Sequence, residues 1–263
     1  MCKIRNRLAT SMCKMLAVIV LLPLFAKSQK RGLESYLKRI NNIVLVHGAF
    51  ADGSSWAGTI AILQANHYNV IAVQNPLSSL EADIAATKRA IDLMDGPVLL
   101  VGHSYGGVVI TAAGNDPKVA ALVYVCALIP DEGESVTDIS QKDPNAPGSK
   151  EIRADKEGLL TLTKKGVDAY FAQDLPSAQR AIIYATQTPW AVKATTTKIQ
   201  KAAWKTRPSY MIIGLSDHMV TPQLARQEAK MIHASSLELA SSHVPMLSMP
   251  KQVAAFIMEA TKK

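Results

Sequence analysis

The sequence lacks the short motifs by which many proteins bind phosphate groups, dinucleotides or metal ions. Its 263 residues contain no G-x-x-x-x-G-K, G-x-G-x-x-G, H-E-x-x-H or C-x-x-C pattern. Internal repeats and coiled-coil heptads are absent as well. These absences exclude motif-based nucleotide and metal enzymes. We therefore expect a function that uses no cofactor and no metal.

An excess of positive charge is confined to the amino terminus. The chain has 29 Lys and Arg against 21 Asp and Glu, a formal net charge of +8. Nine of the basic residues and one acid lie in residues 1–42, so residues 43–263 carry 20 of each sign. A body without net charge does not attract a phosphate backbone, and we expect no nucleic-acid partner.

Cysteine is scarce, with three in the chain. Cys2 and Cys13 belong to the amino-terminal leader, which leaves Cys126 alone in a strand-like segment at 123–127. One thiol cannot form an internal disulfide, and a buried cysteine is usually inert. The number of cysteines therefore neither supports nor contradicts export of the protein from the cytoplasm, which the leader described next predicts.

The leader has the composition of a targeting segment. Basic residues precede an apolar run at 15–26, which is too short to span a bilayer comfortably, and Ala26-Lys27-Ser28 follows as a cleavage site. We predict a signal peptide at 1–28, a polar linker at 29–42 and an exported protein, periplasmic or secreted. Such a protein contacts the membrane only through the leader before cleavage. An uncleaved amino-terminal anchor is the alternative.

Behind the leader, short apolar segments alternate with amphipathic ones, which predicts strands and helices in turn. The strand-like segments are 43–46, 69–73, 98–101, 119–127, 209–213 and, weakly, 236–240. Helical patterns begin after Ser54 or Ser55, at a capping box of Ser78 and Glu81, and at 108–113, 221–233 and 250–261. The alternation is typical of the α/β class, with a mostly parallel sheet covered by helices on both faces. We expect this core to comprise 43–130 and 207–263.

Residues 131–206 separate the two parts of the core. The segment shows helical patterns and no clear strand, and it is too long for a connecting loop, so we predict an inserted helical cap. It holds a large share of the aromatic residues, among which Trp190 and Tyr184 are candidates for a substrate pocket. The alternative is that these aromatics form only the core of the cap itself.

The most informative segment is Gly-His-Ser-Tyr-Gly at 102–106. It follows a buried strand and precedes a helix, and it fits the G-x-S-x-G nucleophile elbow. The serine of such an elbow has strained backbone geometry, and the glycines before and after it avoid a Cβ clash. Ser104 is therefore predicted to be a nucleophile, exposed at the edge of the sheet.

A serine nucleophile needs a base, and the base needs an orienting acid. His243 follows the last predicted strand and precedes the last helix, where a base can reach across the carboxyl edge of the sheet. His47 and His103 lie at strand ends and are interpreted as loop supports. Asp217, in the loop after strand 209–213, is the predicted acid, and Asp131 is the alternative.

The loop after the first strand predicts an oxyanion hole. His47-Gly48-Ala49-Phe50 offers a backbone N–H, from Ala49 rather than Phe50. The N–H of Tyr105, directly after the nucleophile, is the second donor.

With these residues assembled, the chain resembles the α/β-hydrolase superfamily from about residue 43 to its end. The segments at 44–49 and 102–107 and the loops of Asp217 and His243 resemble the branch of salicylate-type esterases and hydroxynitrile lyases. The segments at 48–56 and 114–118 resemble its bacterial esterase-type members. The resemblance implies a six-stranded sheet, since members of this branch often begin without the first two strands.

The same resemblance implies roles for individual residues. The nucleophile, acid and base of the family correspond to Ser104, Asp217 and His243, and its oxyanion donors correspond to Ala49 and Tyr105. The lyases have a lysine after the histidine and a threonine in the first loop. Val244 and Gly48 occupy those two positions here, which argues against cyanohydrin cleavage.

Two functions from different classes follow. One is a serine esterase that cleaves small carboxylic esters through an acyl-enzyme intermediate. The other is a small-molecule binding protein on a hydrolase scaffold, non-catalytic or very slow. The complete Ser, Asp and His set favours the enzyme, because a receptor has no need of all three.

The leader generates a first prediction. We expect export to remove residues 1–28, so amino-terminal sequencing of the protein from its native host should begin at Gln29. A sequence that begins at Met1, or retention of the protein in the membrane fraction, would contradict cleavage.

Overall fold

The computed structural model describes residues 40–262, so the predicted signal peptide and most of the linker lie outside the described residues. Nine strands occur in this range. In chain order they are β1 (Asn42–Val46), β2 (Asn69–Val73), β3 (Val98–His103), β4 (Val119–Val125), β5 (Ile152–Ala154), β6 (Leu159–Leu162), β7 (Trp190–Ala191), β8 (Ser209–Gly214) and β9 (Ser235–Leu239).

Ten α-helices, several of them short, accompany the strands in the described range. They are α1 (Ala57–Ala65), α2 (Leu80–Asp92), α3 (Gly106–Ala113), α4 (Val136–Ser140), α5 (Lys164–Gly166), α6 (Ser177–Thr186), α7 (Val192–Thr196), α8 (Pro222–Met231), α9 (Pro245–Ser248) and α10 (Pro250–Ala260). Three 3-10 turns (Gly53–Trp56, Pro147–Glu151 and Ala203–Lys205) and a π-helical turn (Val167–Phe171) complete the regular structure. No helix among residues 40–262 is both long and apolar enough to cross a membrane.

Six strands form one sheet in the order β2-β1-β3-β4-β8-β9, and every neighbouring pair is parallel. The prediction of a mostly parallel, six-stranded α/β sheet is confirmed. Because all strands point the same way, their carboxyl ends meet at one edge. The loops after β1, β3, β8 and β9 therefore converge there.

The burial of the strands follows from their place in the sheet. The central strands β1, β3 and β8 are buried along their whole length, whereas the edge strands β2 and β9 are partly exposed. Helix α1 packs against α10 and α2 packs against α3. These helix pairs cover the sheet and exclude water from the continuous apolar runs of the central strands.

Two helix starts differ from the sequence prediction. Asp52, not Ser54 or Ser55, caps the turn before α1, since its Oδ1 accepts the N–H of Ser54 at 2.6 Å. Ser79, not Ser78, caps α2 and accepts the N–H of Ala82 at 3.2 Å.

The second shift has a local cause two residues before the cap. Leu77 takes a left-handed conformation, with φ of 55°, and donates its N–H to Asp83 inside α2. This bond ties the chain back onto the helix, and the helix starts one residue later than the capping-box pattern predicts.

The segment 131–206 was predicted to be a helical cap, but the structure shows that it is not entirely helical. It contains the three-stranded antiparallel sheet β5-β6-β7 besides α4 to α7. These strands are two to four residues long, too short to produce a readable alternation of apolar and polar residues. The turn between β5 and β6 does carry a signal: Asp155 accepts the N–H of Glu157 and of Leu159, and Gly158 has φ of 77°.

A buried carboxyl lies where β4 leads into this inserted segment. Oε1 of Glu228, on α8, accepts the N–H of Ile129 at 3.1 Å, while Oε2 has no hydrogen-bond partner among residues 40–262. Burial raises the pKa of Glu228 well above its ordinary value, and the hydrogen bond from Ile129 and the Lys142 ammonium lower it only in part. Folding therefore favours the protonated form of the Glu228 carboxyl.

This proton predicts how stability depends on pH. Above the ordinary glutamate pKa of about 4.3, the unfolded state binds fewer protons than the folded state, so stability falls as pH rises. The loss reaches up to about 1.4 kcal/mol per pH unit until the raised pKa of the folded state is passed.

Glu228→Gln keeps the acceptor for Ile129 and removes the titration. Thermal melts from pH 5 to 9 should show the variant gaining stability relative to wild type as pH rises. The exposed Glu157→Gln serves as the control, and a constant difference between Glu228→Gln and wild type would contradict a buried protonated carboxyl.

Candidate active site

The turn between β3 and α3 holds Ser104 in a left-handed backbone conformation, with φ of 52°. A Cβ on Gly102 would lie 2.5 Å from the carbonyl oxygen of Gly106, and a Cβ on Gly106 would lie 2.5 Å from that of Val46. Both glycines of the elbow are therefore required by close backbone contacts. The turn brings Ser104 to the carboxyl edge of the sheet.

Hydrogen bonds hold this turn from several sides. The N–H of Ser104 donates to Val125, and its carbonyl accepts the N–H groups of Gly107 at 2.9 Å and Leu128 at 3.2 Å. Gly107 belongs to α3, and Leu128 belongs to the segment after β4. The unfavourable backbone geometry of Ser104 is therefore maintained by its surroundings.

Asp217 and His243 lie together, as the sequence predicts. Nδ1 of His243 is 2.7 Å from Oδ2 of Asp217, and both side chains are almost completely buried. Oδ1 of Asp217 accepts the N–H groups of Met219 at 2.8 Å and Val220 at 3.0 Å. This arrangement places the Nδ1 proton of His243 on the carboxylate side, so Nε2 of the neutral ring is free to accept a proton.

Asp131, the alternative acid, lies elsewhere. Its side chain is 40% exposed and its Oδ1 is 2.6 Å from Nζ of Lys205. A hydrogen bond from Lys205 is the main cause that lowers the pKa of Asp131. Of the two aspartates, only Asp217 contacts His243.

His47 and His103 support the loops around these residues. Nε2 of His103 is 2.8 Å from the carbonyl oxygen of His243, to which it donates, and burial lowers the pKa of His103 well below its ordinary value. Nε2 of His47 accepts the N–H of Asn75 at 2.9 Å, so Nδ1 of His47 donates to the carbonyl of Gly48 at 2.8 Å. Burial also lowers the pKa of His47. Two neutral imidazoles thus fix the backbone beside the candidate base and the first loop.

Three residues beside the elbow have backbone N–H groups without a protein acceptor in the described part of the chain. Ala49, Phe50 and Tyr105 line the same cavity as Ser104 and His243. Within residues 40–262 none of these three N–H groups donates to a protein oxygen. Phe50 has φ of 60°, which turns the loop after β1 towards the elbow. An oxygen bound beside Ser104 would find free donors here.

Asp83 supports the elbow, a role that none of the sequence motifs predicts. Its Oδ2 accepts the hydroxyl of Tyr105 at 2.7 Å, and its Oδ1 accepts the N–H of Leu77 at 2.8 Å. The carboxyl is fully buried, and this burial raises its pKa. A signal was present, because Asp83 follows Leu80 by three positions and therefore lies on the buried stripe of α2.

The cavity around Ser104, which we call the inner cavity, has a volume of about 150 Å³. Trp190 lines it, and the Trp190 ring packs against Tyr105 with 4.9 Å between centroids. Tyr184 does not line it: its side chain lies on α6, which has no buried residue, and it is 42% exposed. The prediction of Tyr184 as a pocket residue is wrong, because its face of α6 is turned to solvent.

Metal ligands do not gather around this cavity. Among the described residues 40–262, no group of three or more His, Cys, Asp and Glu side chains is arranged to bind a metal ion. The chemistry that the arrangement offers is that of a serine hydroxyl, an imidazole, a carboxylate and backbone N–H groups.

Comparisons of the chain with known proteins point to one family. Residues 43–256 match the model of the alpha/beta hydrolase family. The chain is 29% identical over 244 residues to the alpha/beta hydrolase nvfD of Aspergillus novofumigatus, covering 83% of this chain and 95% of that protein. It is 25% identical to a pyrethroid hydrolase of Sphingobium wenxiniae, covering 84% of this chain and 87% of that protein. The crystal structure of polyneuridine aldehyde esterase superposes with a TM-score of 0.73 at 17% identity, over 84% of this chain and 99% of that chain.

The contact between Asp217 and His243 generates a prediction. Asp217→Asn should lower turnover by about 10³–10⁴-fold, because an amide at this position favours the wrong imidazole tautomer. Asp131→Asn, which removes only the exposed ion pair with Lys205, is the matched control and should change turnover less than twofold. Steady-state kinetics on an aryl ester measures both. A mild Asp217→Asn and a severe Asp131→Asn would reverse the assignment.

Proposed function

Because the chain belongs to the alpha/beta hydrolase family, as its motifs predict, we propose that it is a serine esterase that hydrolyses small carboxylic esters. The observation that carries the proposal is the 2.7 Å contact between His243 and Asp217 at the cavity that also holds Ser104. The proposed reaction proceeds through an acyl-enzyme intermediate.

In the first step, Nε2 of His243 takes the hydroxyl proton of Ser104 while Oγ attacks the ester carbonyl carbon. The carbonyl oxygen becomes an oxyanion. The N–H of Tyr105 and that of Ala49, with Phe50 as the alternative, donate to it. No protein oxygen of the described chain accepts from these N–H groups, which leaves them free to donate to the oxyanion.

In the second step, the bond between the acyl carbon and the alcohol oxygen breaks, and the alcohol takes the proton from His243. Water then repeats the sequence: His243 deprotonates it, the water oxygen attacks the acyl carbon, and Ser104 leaves with the proton restored. Asp217 orients the imidazole and stabilises its protonated form in both half-reactions.

Tyr105 contributes its backbone and not its phenol in this scheme. Burial, together with the nearby Asp83 carboxylate, raises the pKa of the Tyr105 hydroxyl far above its ordinary value. The phenol therefore stays protonated and donates to Asp83. Asp83 in turn positions the residue whose N–H serves the oxyanion.

The alternatives are a hydroxynitrile lyase and a binding protein. Val244 and Gly48 stand where the lyases have lysine and threonine, which disfavours the first. A binding protein needs no aligned acid and base. Asp217 here accepts from His243 and from two backbone N–H groups, which favours the enzyme. With the leader at 1–28, we propose that the esterase acts outside the cytoplasm.

Replacing the nucleophile tests the proposal. Ser104→Ala should abolish covalent labelling by an organophosphonate and reduce ester hydrolysis to at most about 10³–10⁴-fold over the uncatalysed rate. Labelling is followed by mass spectrometry and hydrolysis with aryl esters, with the Asp131→Asn protein as the folded, labelled control.

Two results would contradict the esterase. One is full turnover by the Ser104→Ala protein. The other is a wild-type protein that hydrolyses no ester in a chain-length panel yet binds a small carboxylic compound stoichiometrically, which would favour the binding protein.

A further inference from the structure

A second cavity adjoins the inner cavity. This outer cavity has a volume of about 210 Å³. Its walls come from the cap, with Ile182 and Ile183 of α6, and from the segment after the candidate base, with Val244 and Leu247. Neither Ser104 nor His243 lines it. It is therefore a separate space beside the reacting groups.

Two aromatic side chains form the boundary between the cavities. Phe50 and Phe171 line both of them. The Phe171 ring packs against the His243 ring with 5.2 Å between centroids, and the Phe50 ring packs edge-on against Trp190 at 5.9 Å. The outer cavity thus begins on the side of the base, next to Phe171 and Val244.

We propose that the outer cavity binds the alcohol portion of the ester and the inner cavity the acyl portion, so that the preferred substrates are esters of bulky, uncharged apolar alcohols. This inference rests on the proposed esterase function and adds the class of alcohol to it.

The direction of proton transfer assigns the two portions. When the tetrahedral intermediate collapses, the electron pair of the breaking C–O bond stays on the alcohol oxygen, which takes its proton from His243. That oxygen must therefore lie within hydrogen-bond reach of Nε2, on the His243 side of the scissile bond. The acyl carbon stays bonded to Ser104, with its oxygen facing Tyr105, and both of these residues line the inner cavity.

The walls of the outer cavity define the chemistry of the alcohol. Leucine, isoleucine, valine and phenylalanine side chains make up most of the lining, which favours an apolar group. Asp52 is the one charged residue in that lining within the described chain, so a negatively charged alcohol finds no cationic partner there.

The walls of the outer cavity also leave room for a large alcohol group. Helix α6 has no buried residue, and Ile182 is 63% exposed. The outer cavity is therefore open to solvent along α6, and a large group can extend past the helix.

Filling each cavity separately tests the assignment. Ile183→Trp narrows the outer cavity, Ile152→Trp narrows the inner cavity, and both positions are partly exposed. Tyr184→Trp, on the solvent side of the same helix as Ile183, is the matched control. Thr186→Trp narrows the outer cavity from an exposed position and replaces Ile183→Trp where that variant does not fold.

The kinetic readout is a pair of kcat/KM ratios. The first compares 2-naphthyl acetate with methyl acetate, and the second compares methyl hexanoate with methyl acetate. Ile183→Trp should lower the first ratio by about tenfold or more, because the indole occupies the space of the naphthyl group and the lost apolar contacts cost about 10–200-fold. The second ratio should stay unchanged. Ile152→Trp should do the reverse, and Tyr184→Trp should change neither. Equal effects of Ile183→Trp on both ratios, or an effect on the second alone, would overturn the assignment.

A binding readout separates this inference from the proposed function. Fluorescence titration of 2-naphthol into the Ser104→Ala protein needs no turnover. The inference is supported if Ile183→Trp weakens 2-naphthol binding about tenfold while Ile152→Trp leaves it intact. This outcome supports the outer cavity as an alcohol site even if wild type hydrolyses no ester. Absent binding, or binding that only Ile152→Trp weakens, overturns the inference without bearing on Ser104 as the nucleophile.

Discussion

The close packing of the β3–α3 turn against the end of β1 is the constraint on which the rest of the site depends. A Cβ on Gly106 would lie 2.5 Å from the carbonyl oxygen of Val46, and a Cβ on Gly48 would lie 2.7 Å from the side chain of Ser104. Only glycine fits at either position. Because the two loops approach this closely, the residues after β1 and after Ser104 line one cavity. The left-handed Ser104 is the consequence, since no relaxed turn would bring its hydroxyl to the same point.

Buried polar groups support this turn and the candidate base. Asp83 bonds the Tyr105 hydroxyl, His103 bonds the carbonyl of His243, and His47 joins the loop after β1 to Asn75. Burial lowers the pKa of both histidines and raises that of Asp83. Because these groups are buried and hydrogen-bonded, they hold the turn and the loop of His243 in place.

The cap does more than cover the cavity. Asp174 accepts the N–H of Ser242 at 2.9 Å, and Gln173 donates to the carbonyl of Ser216 at 2.6 Å. These two core residues directly precede His243 and Asp217 in the chain. The cap therefore holds the loops of the candidate base and acid, besides contributing Trp190 and Phe171 to the cavity walls. Changes in the cap should consequently affect the alignment of the acid and base as well as the choice of substrate.

The sheet, the elbow and the loops that carry Asp217 and His243 can all be predicted from the sequence alone. These features depend on local patterns, namely apolar strands, the glycine spacing around Ser104, and polar residues directly after strands whose carboxyl ends meet at one edge. The role of Asp83, the exposure of Tyr184, the short cap strands and the division into two cavities become visible only in the folded chain. The physical reason is distance along the chain: Asp83 and Tyr105 are 22 positions apart, and His103 and His243 are 140 apart. No local pattern encodes such contacts, because they exist only once the elements have packed.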